Sequence, residues 1–178
     1  VTEDFEKMAA MTPSEKPYLK TNVFILAKNR ITWLLVLMFS SMITGGILSR
    51  YEEQIAALPL LVTFIPMLTD TGGNVGSQSS TMVIRGMAIG EVEIGDALKI
   101  IWKEFRVSII VGLILAGVNF IKVVLQYPGQ YDVGLTVGLS LFCTVTMANI
   151  VGGLLPVLAK KLNIDPTIMA SPLISTLV

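Results

Sequence analysis

The chain has 178 residues, 53% hydrophobic and 15% charged, with thirteen basic and thirteen acidic side chains and a mean hydropathy of +0.73. Neutral balance leaves no electrostatic footprint for nucleic acid, and so much apolar residue in long blocks excludes an ordinary soluble domain. There is no histidine, which removes the commonest general base and metal ligand, and the lone Cys143, inside an apolar block, is expected to be a small core residue rather than a nucleophile or soft-metal ligand. The class is polytopic membrane protein.

Residues 1–11 start like a helix, with Thr2 as N-cap and Glu3, Asp4 and Glu6 where the macrodipole favours anions. Phe5, Met8 and Ala9 make one apolar stripe before Pro13 ends the pattern. The first twenty residues are too polar for a secretory signal. Lys20, Lys28 and Arg30 then abut the first apolar block as a cytoplasmic lead-in does. Residues 31–49 form the first predicted span, nineteen residues without a formal charge, with Trp33 at interfacial height.

After a short outer loop containing Arg50 and Glu52, residues 55–84 return through the membrane. The apolar entry 56–67 rises only about 18 Å, against a hydrocarbon core of about 30 Å. The string that follows, Leu-Thr-Asp-Thr-Gly-Gly-Asn-Val-Gly-Ser-Gln-Ser-Ser-Thr over 68–81, must therefore lie at membrane depth. Its acid, amides and hydroxyls are too costly to face lipid and belong in a protein interior or a water-filled path. This stretch is the functional address.

Residues 85–99 read as an inner loop or surface helix with Arg85, Glu91, Glu93, Asp96 and Lys99. The third span is predicted over 101–126, with Glu104 and Arg106 at headgroup level and Gly112 and Ala116 spaced for close packing. Asn119 and Lys122 fall near its outer end, where Lys122 can snorkel. A Pro128-Gly129 turn leads to the fourth span, 133–159, where Gly134 and Gly138 are set for helix contact. Asn149, Gly152, Gly153 and Pro156 are expected to loosen its inner half, with Asn149 as an interhelical hydrogen-bonding residue. A fifth helix is expected over 167–178, incomplete because twelve residues rise only about 18 Å. The predicted fold is thus an all-α membrane protein of five helices. Eleven of the thirteen basic residues fall on one side of it, leaving only Arg50 and Lys122 opposite, which puts the N-terminus in the cytoplasm.

The second and fifth helices share small and polar residues at membrane depth: Gly72, Gly73, Asn74, Gly76, Ser77 and Gln78 in one, Ser171, Pro172, Ser175 and Thr176 in the other. Glycine and proline are expected to interrupt both helices and free carbonyls to line a cavity. One acid, Asp70, among neutral oxygen groups suits Mg²⁺, which dehydrates reluctantly and passes only through sites weak enough to leave. The bland alternative is hydrogen-bonded helix glue. A coupled secondary transporter of divalent metals also uses broken helices at the midplane, with Asp70 as its proton carrier. An intramembrane enzyme would need a base near Ser77–Thr81, and no Lys falls at that depth. A non-conducting assembly subunit is the fourth reading.

The string over 66–80, with its Thr-Gly-Gly-Asn-x-Gly-x-Gln-Ser core, resembles the second transmembrane helix of the MgtE magnesium channels. Ala148-Asn149-Ile150-Val151-Gly152, Asp165-Pro166 and Ser171-Pro172-Leu173 agree, and Thr2-Glu3-Asp4 is similar to the connecting helix ahead of the family's membrane domain. The resemblance implies a connecting or plug helix and lead-in over 1–29, and a membrane domain over 30–178. It implies a homodimer in the cell (inner) membrane, passing hydrated Mg²⁺ passively through a pore on the two-fold axis. Asp70, Gly73, Asn74, Ser77 and Gln78 on the second helix map onto the pore lining, with Ser171 and Ser175 on the fifth. Ser77 and Ser171 stand where some members carry Asn. The family's main acidic ligand would fall just beyond Val178. Cytoplasmic N and CBS domains, which bind Mg²⁺ and hold the pore shut, are implied as partners, with Glu3 and Asp4 as regulatory contacts.

Overall fold

The computed structural model describes residues 6–9, 11–13, 17–57, 59–169 and 174–176. The expectations for Glu3, Asp4, Ser171 and Pro172 lie outside the described residues. All regular structure among the described residues is helical. Helix α1 runs Val23–Ser49, α2 Glu52–Ala57, α3 Pro59–Val62, α4 Ile65–Ala88, α5 Ala97–Gln126 and α6 Tyr131–Lys161, with 3₁₀ turns at Tyr18–Lys20, Ile94–Asp96 and Pro166–Met169. Among the described residues, three segments are long and apolar enough to cross a membrane: Val23–Ser49, Ile94–Gln126 and Tyr131–Lys161.

Helix α1 starts eight residues ahead of the predicted span because Asn22 is a working N-cap, its side-chain oxygen accepting from the Phe24 amide at 2.9 Å. Lys28 and Arg30 therefore sit on helix, not before it. None of the residues of α1 is buried.

The second predicted span is not one helix. It breaks into α2, α3 and α4, and between α3 and α4 the Thr63 and Phe64 amides donate to the Leu60 and Leu61 carbonyls before Pro66 in the first turn of the next helix. A proline in the first turn needs no amide partner and has its φ preset for helix. The expected interruption at Gly72–Gln78 is absent, since α4 is continuous from Ile65 to Ala88. Gly73 and Gly76 there serve close packing, and the Ser77 hydroxyl bonds within the helix to the Gly73 carbonyl.

Helix α4 ends on Gly90, whose φ of +76° lets Glu91 and Val92 donate back to the Gly86 carbonyl. Helix α5 begins four residues before the predicted span, led by the 3₁₀ turn in which Asp96 accepts from the Glu93 amide at 3.1 Å. Helix α6 is likewise unbroken, and Pro156 is accommodated inside it rather than loosening it.

Helix α6 is the central post, and α4 and α5 each pack along it. Its inward stripe is Val133, Val137, Leu141, Val145, Ala148, Gly152 and Pro156, stepping three or four residues at a time. Three apolar clusters follow the post: Phe64, Val123, Val133 and Val137 at one end, Val75, Leu141, Val145 and Ala148 in the middle, and Val83, Met87, Ile100 and Val157 at the other. The small residues predicted for contact do meet. Phe142 lies over Gly112, Phe120 over Gly134, and Gly138 faces the Ala116 carbonyl. Packing of this kind holds helices together where lipid offers no hydrophobic contrast.

Candidate functional site: a polar stripe on α4

The two faces of α4 have opposite chemistry. Gly72, Gly73, Val75, Gly76, Ser79, Ser80 and Val83 are buried. Asp70, Asn74, Gln78 and Thr81 are exposed and Ser77 is half-buried. Positions 70, 74, 77, 78 and 81 follow i, i+4, i+7, i+8, i+11, which is one face of an α-helix.

The buried face is thin by necessity. A Cβ on Gly152 of α6 would fall inside the Gly76 backbone, and one on Gly76 would stand 3.2 Å from the Ala148 carbonyl oxygen. Two backbones thus cross with no side chain between them. Ser79 fastens the crossing, its hydroxyl donating to the Asn149 carbonyl at 2.9 Å. At Asn149 this interhelical bond runs through the main-chain carbonyl, which any residue would supply, rather than through the side-chain amide expected to make it.

The described part of the fifth predicted helix, 174–176, lies on the same thin face. Ile174 is fully buried, and its Cγ2 would be 2.5 Å from a Cβ on Gly76; Ser175 sits over Gly73, its Cβ 3.0 Å from where a Cβ there would be. The structure therefore brings Gly73 and Ser175 together as a packing pair beside the stripe.

Along the stripe, Asn74 donates its side-chain amide to the Asp70 carboxylate at 3.2 Å, and Ser77 donates to the Gly73 carbonyl at 2.7 Å. Asn74 thereby turns its amide oxygen away from Asp70. The stripe presents one carboxylate followed by amide and hydroxyl oxygens, all hard ligands. No group of three or more acidic or cysteine side chains converges among the described residues, so the stripe is oxygen-rich without being a carboxylate cage.

The leader is tied down at two points. Lys7 pairs with Asp165 at 2.9 Å in the turn after α6, and the Thr12 amide donates to the Asn29 carbonyl in α1. Asp165 also accepts from the Thr167 amide and hydroxyl at 3.0 and 2.7 Å. The Thr167 hydroxyl, with Lys7 adding to it, holds the Asp165 carboxyl below the ordinary carboxylate value against the opposing effect of partial burial.

Sequence reasoning missed the setting of Glu104. Glu104 is half-buried and turns toward α6, where its chain and the Ser79 hydroxyl would each lie 3.1 Å from a Cβ on Gly153. The signal was its register: Ile100, Glu104, Ser108 and Gly112 step by four along the face that α5 presents to α6.

Comparison with known proteins places these features in a family. Residues 65–178 match the MgtE family model, described as a divalent cation transporter. The chain is similar to a protein named magnesium transporter MgtE in Thermus thermophilus, 34% identical over 99% of this chain and 39% of that protein. Proteins of the same name in Bacillus subtilis and Enterococcus faecalis are 34% and 29% identical over 98% of this chain and 38% of their own length. The chain thus spans about two fifths of the length of these curated relatives. It belongs to the MgtE family.

Proposed function

We propose that this chain is the membrane domain of a magnesium channel and lets hydrated Mg²⁺ pass down its electrochemical gradient. The observation that carries the reading is the α4 stripe: a carboxylate, two amides and two hydroxyls on one face, all exposed except the half-buried Ser77. Such a face is too costly to leave against lipid. A second copy facing it across a two-fold axis would enclose a water-filled path, with Asp70, Asn74, Ser77 and Gln78 on its wall. Ser175 and Ser171 of the fifth helix complete the lining, and Gly73 gives the room in which that helix approaches. One acid per copy among neutral oxygens attracts a hydrated dication without trapping it.

In this reading residues 1–29 are the connecting segment, the N-terminus is cytoplasmic, and 30–178 belong to a five-helix domain in the cell (inner) membrane. Regulatory N and CBS domains close the pore through that segment, with Glu3 and Asp4 contacting a regulatory Mg²⁺. Membership of a transporter family argues against catalysis.

Cysteine accessibility tests the stripe. With Cys143 replaced by Ser, Asn74→Cys, Ser77→Cys and Thr81→Cys should react with a charged thiol reagent and be protected by Mg²⁺, while Val75→Cys and Ser80→Cys should not react. Equal reactivity on both faces would refute a wall.

The second reading is a cation-coupled transporter of divalent metals, with Asp70 carrying a proton. Its support is that Asp70 is the only ionisable group on the stripe.

A further inference from the structure

The face of α5 turned away from α6 carries charge and apolar surface in a fixed order. Glu104 packs inward beside Gly153, whereas Lys103, Arg106 and Ile110 step i, i+3, i+7 along another face and are exposed. With Val107 and Ile109 they line a groove of about 420 Å³ that has two cations at one end, aliphatic side chains at the other and no acid. Neither the Lys103 nor the Arg106 side chain makes an ion pair or a hydrogen bond among the described residues. Lys99, one turn earlier, is by contrast satisfied by Asp96 at 2.7 Å.

The helix itself fixes the depth of this groove. Residues 107–121 carry no formal charge and rise about 22 Å between Arg106 and Lys122, less than a hydrocarbon core of about 30 Å. Both cations therefore stand at the borders of the hydrocarbon and reach outward from it. Trp102 and Phe105, stacked with ring centroids 5.9 Å apart, lie in the aromatic belt at the same end. Half the core is about 15 Å, or about ten residues of helix, so an acyl chain anchored at Arg106 ends near Ala116. A second groove, of about 480 Å³, opens there between α5 and α6, with Leu113, Ala116, Gly117 and Gly138 in its wall. An added Cβ on Gly117 would have no atom within 4 Å, so no described side chain fills the groove at that point.

We propose that this face of α5 binds one anionic phospholipid from the leaflet in which the helix begins. The phosphate and the headgroup charge sit between Lys103 and Arg106, where the guanidinium can fork two phosphate oxygens and the ammonium acts as a point charge. One acyl chain follows Val107 and Ile110 into the groove at Gly117. Two unpaired cations at the hydrocarbon border require an anion, and the aliphatic wall below them requires a chain attached to it. An amphiphile meets both demands, whereas free phosphate leaves the apolar wall uncovered. With no acid in the groove to receive an ammonium, a net negative headgroup outcompetes a zwitterionic one. The site rests on α5 spanning the membrane and not on the channel reading.

The test is native mass spectrometry of the full-length protein in detergent, titrated with phosphatidylglycerol or with phosphatidylcholine of the same chain length. The first phosphatidylglycerol should bind about tenfold more tightly than the first phosphatidylcholine. Lys103→Gln combined with Arg106→Gln should bring that ratio close to one, and Lys103→Arg should keep it. Lys160→Gln combined with Lys161→Gln removes the same charge from the end of α6 and should leave the ratio unchanged. Gly117→Leu should weaken retention of both lipids alike. Equal affinities in the wild type, or a ratio unmoved by the paired change at Lys103 and Arg106, would overturn the proposal. So would an equal fall from the paired change at Lys160 and Lys161, which marks diffuse attraction, or indifference of both lipids to Gly117→Leu. Lys103 and Arg106 are exposed, so their replacement should spare the fold; if it does not, the wild-type ratio and the Lys160–Lys161 pair decide. Failure of the channel reading shows separately, as Mg²⁺ flux indifferent to Asp70 and Asn74.

Discussion

Helices α1 and α6 are alike in composition and opposite in setting. Both are long enough to span and free of charge through their middles, yet α1 buries none of its residues while α6 forms the post on which α4 and α5 lean. The difference lies in small residues in register. Gly134, Gly138, Ala148, Gly152 and Gly153 recur along the contact faces of α6, whereas Gly45 and Gly46 of α1 have no atom within 4 Å of an added Cβ. Hydrophobicity decides that a helix can enter the membrane, and closeness of approach decides what it holds there.

The sharpest break of this comparison is Gly152→Ala. Its methyl would enter the Gly76 backbone, so α4 must move off α6. A loss of about 3 kcal/mol is expected, the upper range for overpacking, read as a fall in thermal midpoint in detergent. The same change at Gly46 meets nothing and should be neutral or stabilising, by up to about 1 kcal/mol from helix propensity. Equal effects at the two sites would dissolve the contrast.

Ser79→Ala is smaller. It removes the hydroxyl that bonds the Asn149 carbonyl, and about 1 kcal/mol of stability should go with it.

The smallest effect concerns the leader. The Thr167 hydroxyl, and after it Lys7, lowers the Asp165 pKa, so the contact is fully present above the ordinary carboxylate value of about 4 and fades as pH falls through the lowered value. Hydrogen-exchange protection at residues 6–9, taken relative to the intrinsic rate at each pH, should be flat from neutrality to about pH 5 and fall only in more acid solution. Being solvent-accessible, the pair contributes about 1 kcal/mol or less, and Asp165→Asn should raise leader exchange by only a few fold at neutral pH.

What could be read beforehand follows the same physics. The apolar blocks, the Gly112–Ala116 and Gly134–Gly138 contacts and the polar string at 68–81 were legible because each is periodic and local. The start of α1 was hidden because Lys28 and Arg30 look like a boundary, although long basic side chains ride on helix ends easily. The continuity of α4 through Gly72, Gly73 and Gly76 was hidden for a deeper reason. Glycine weakens an isolated helix, but a crossing helix reverses its value by making use of the missing Cβ. That crossing depends on α6, more than seventy residues away. Glu104 was passed over by height, which is a property of its own helix, when its facing was what mattered.

The central claim is that the α4 stripe is the wall of a passive Mg²⁺ path. It is tested most directly by Mg²⁺ uptake into liposomes holding the full-length protein, driven by membrane potential with no Na⁺ or pH gradient. Wild type should take up Mg²⁺ under these conditions. Asp70→Ala and Asn74→Ala should each cut the rate by about tenfold, the cost of roughly 1.4 kcal/mol at the barrier, while Met82→Ala on the same helix should not. Uptake that requires a second ion gradient, or that ignores the substitutions at Asp70 and Asn74, would contradict the account.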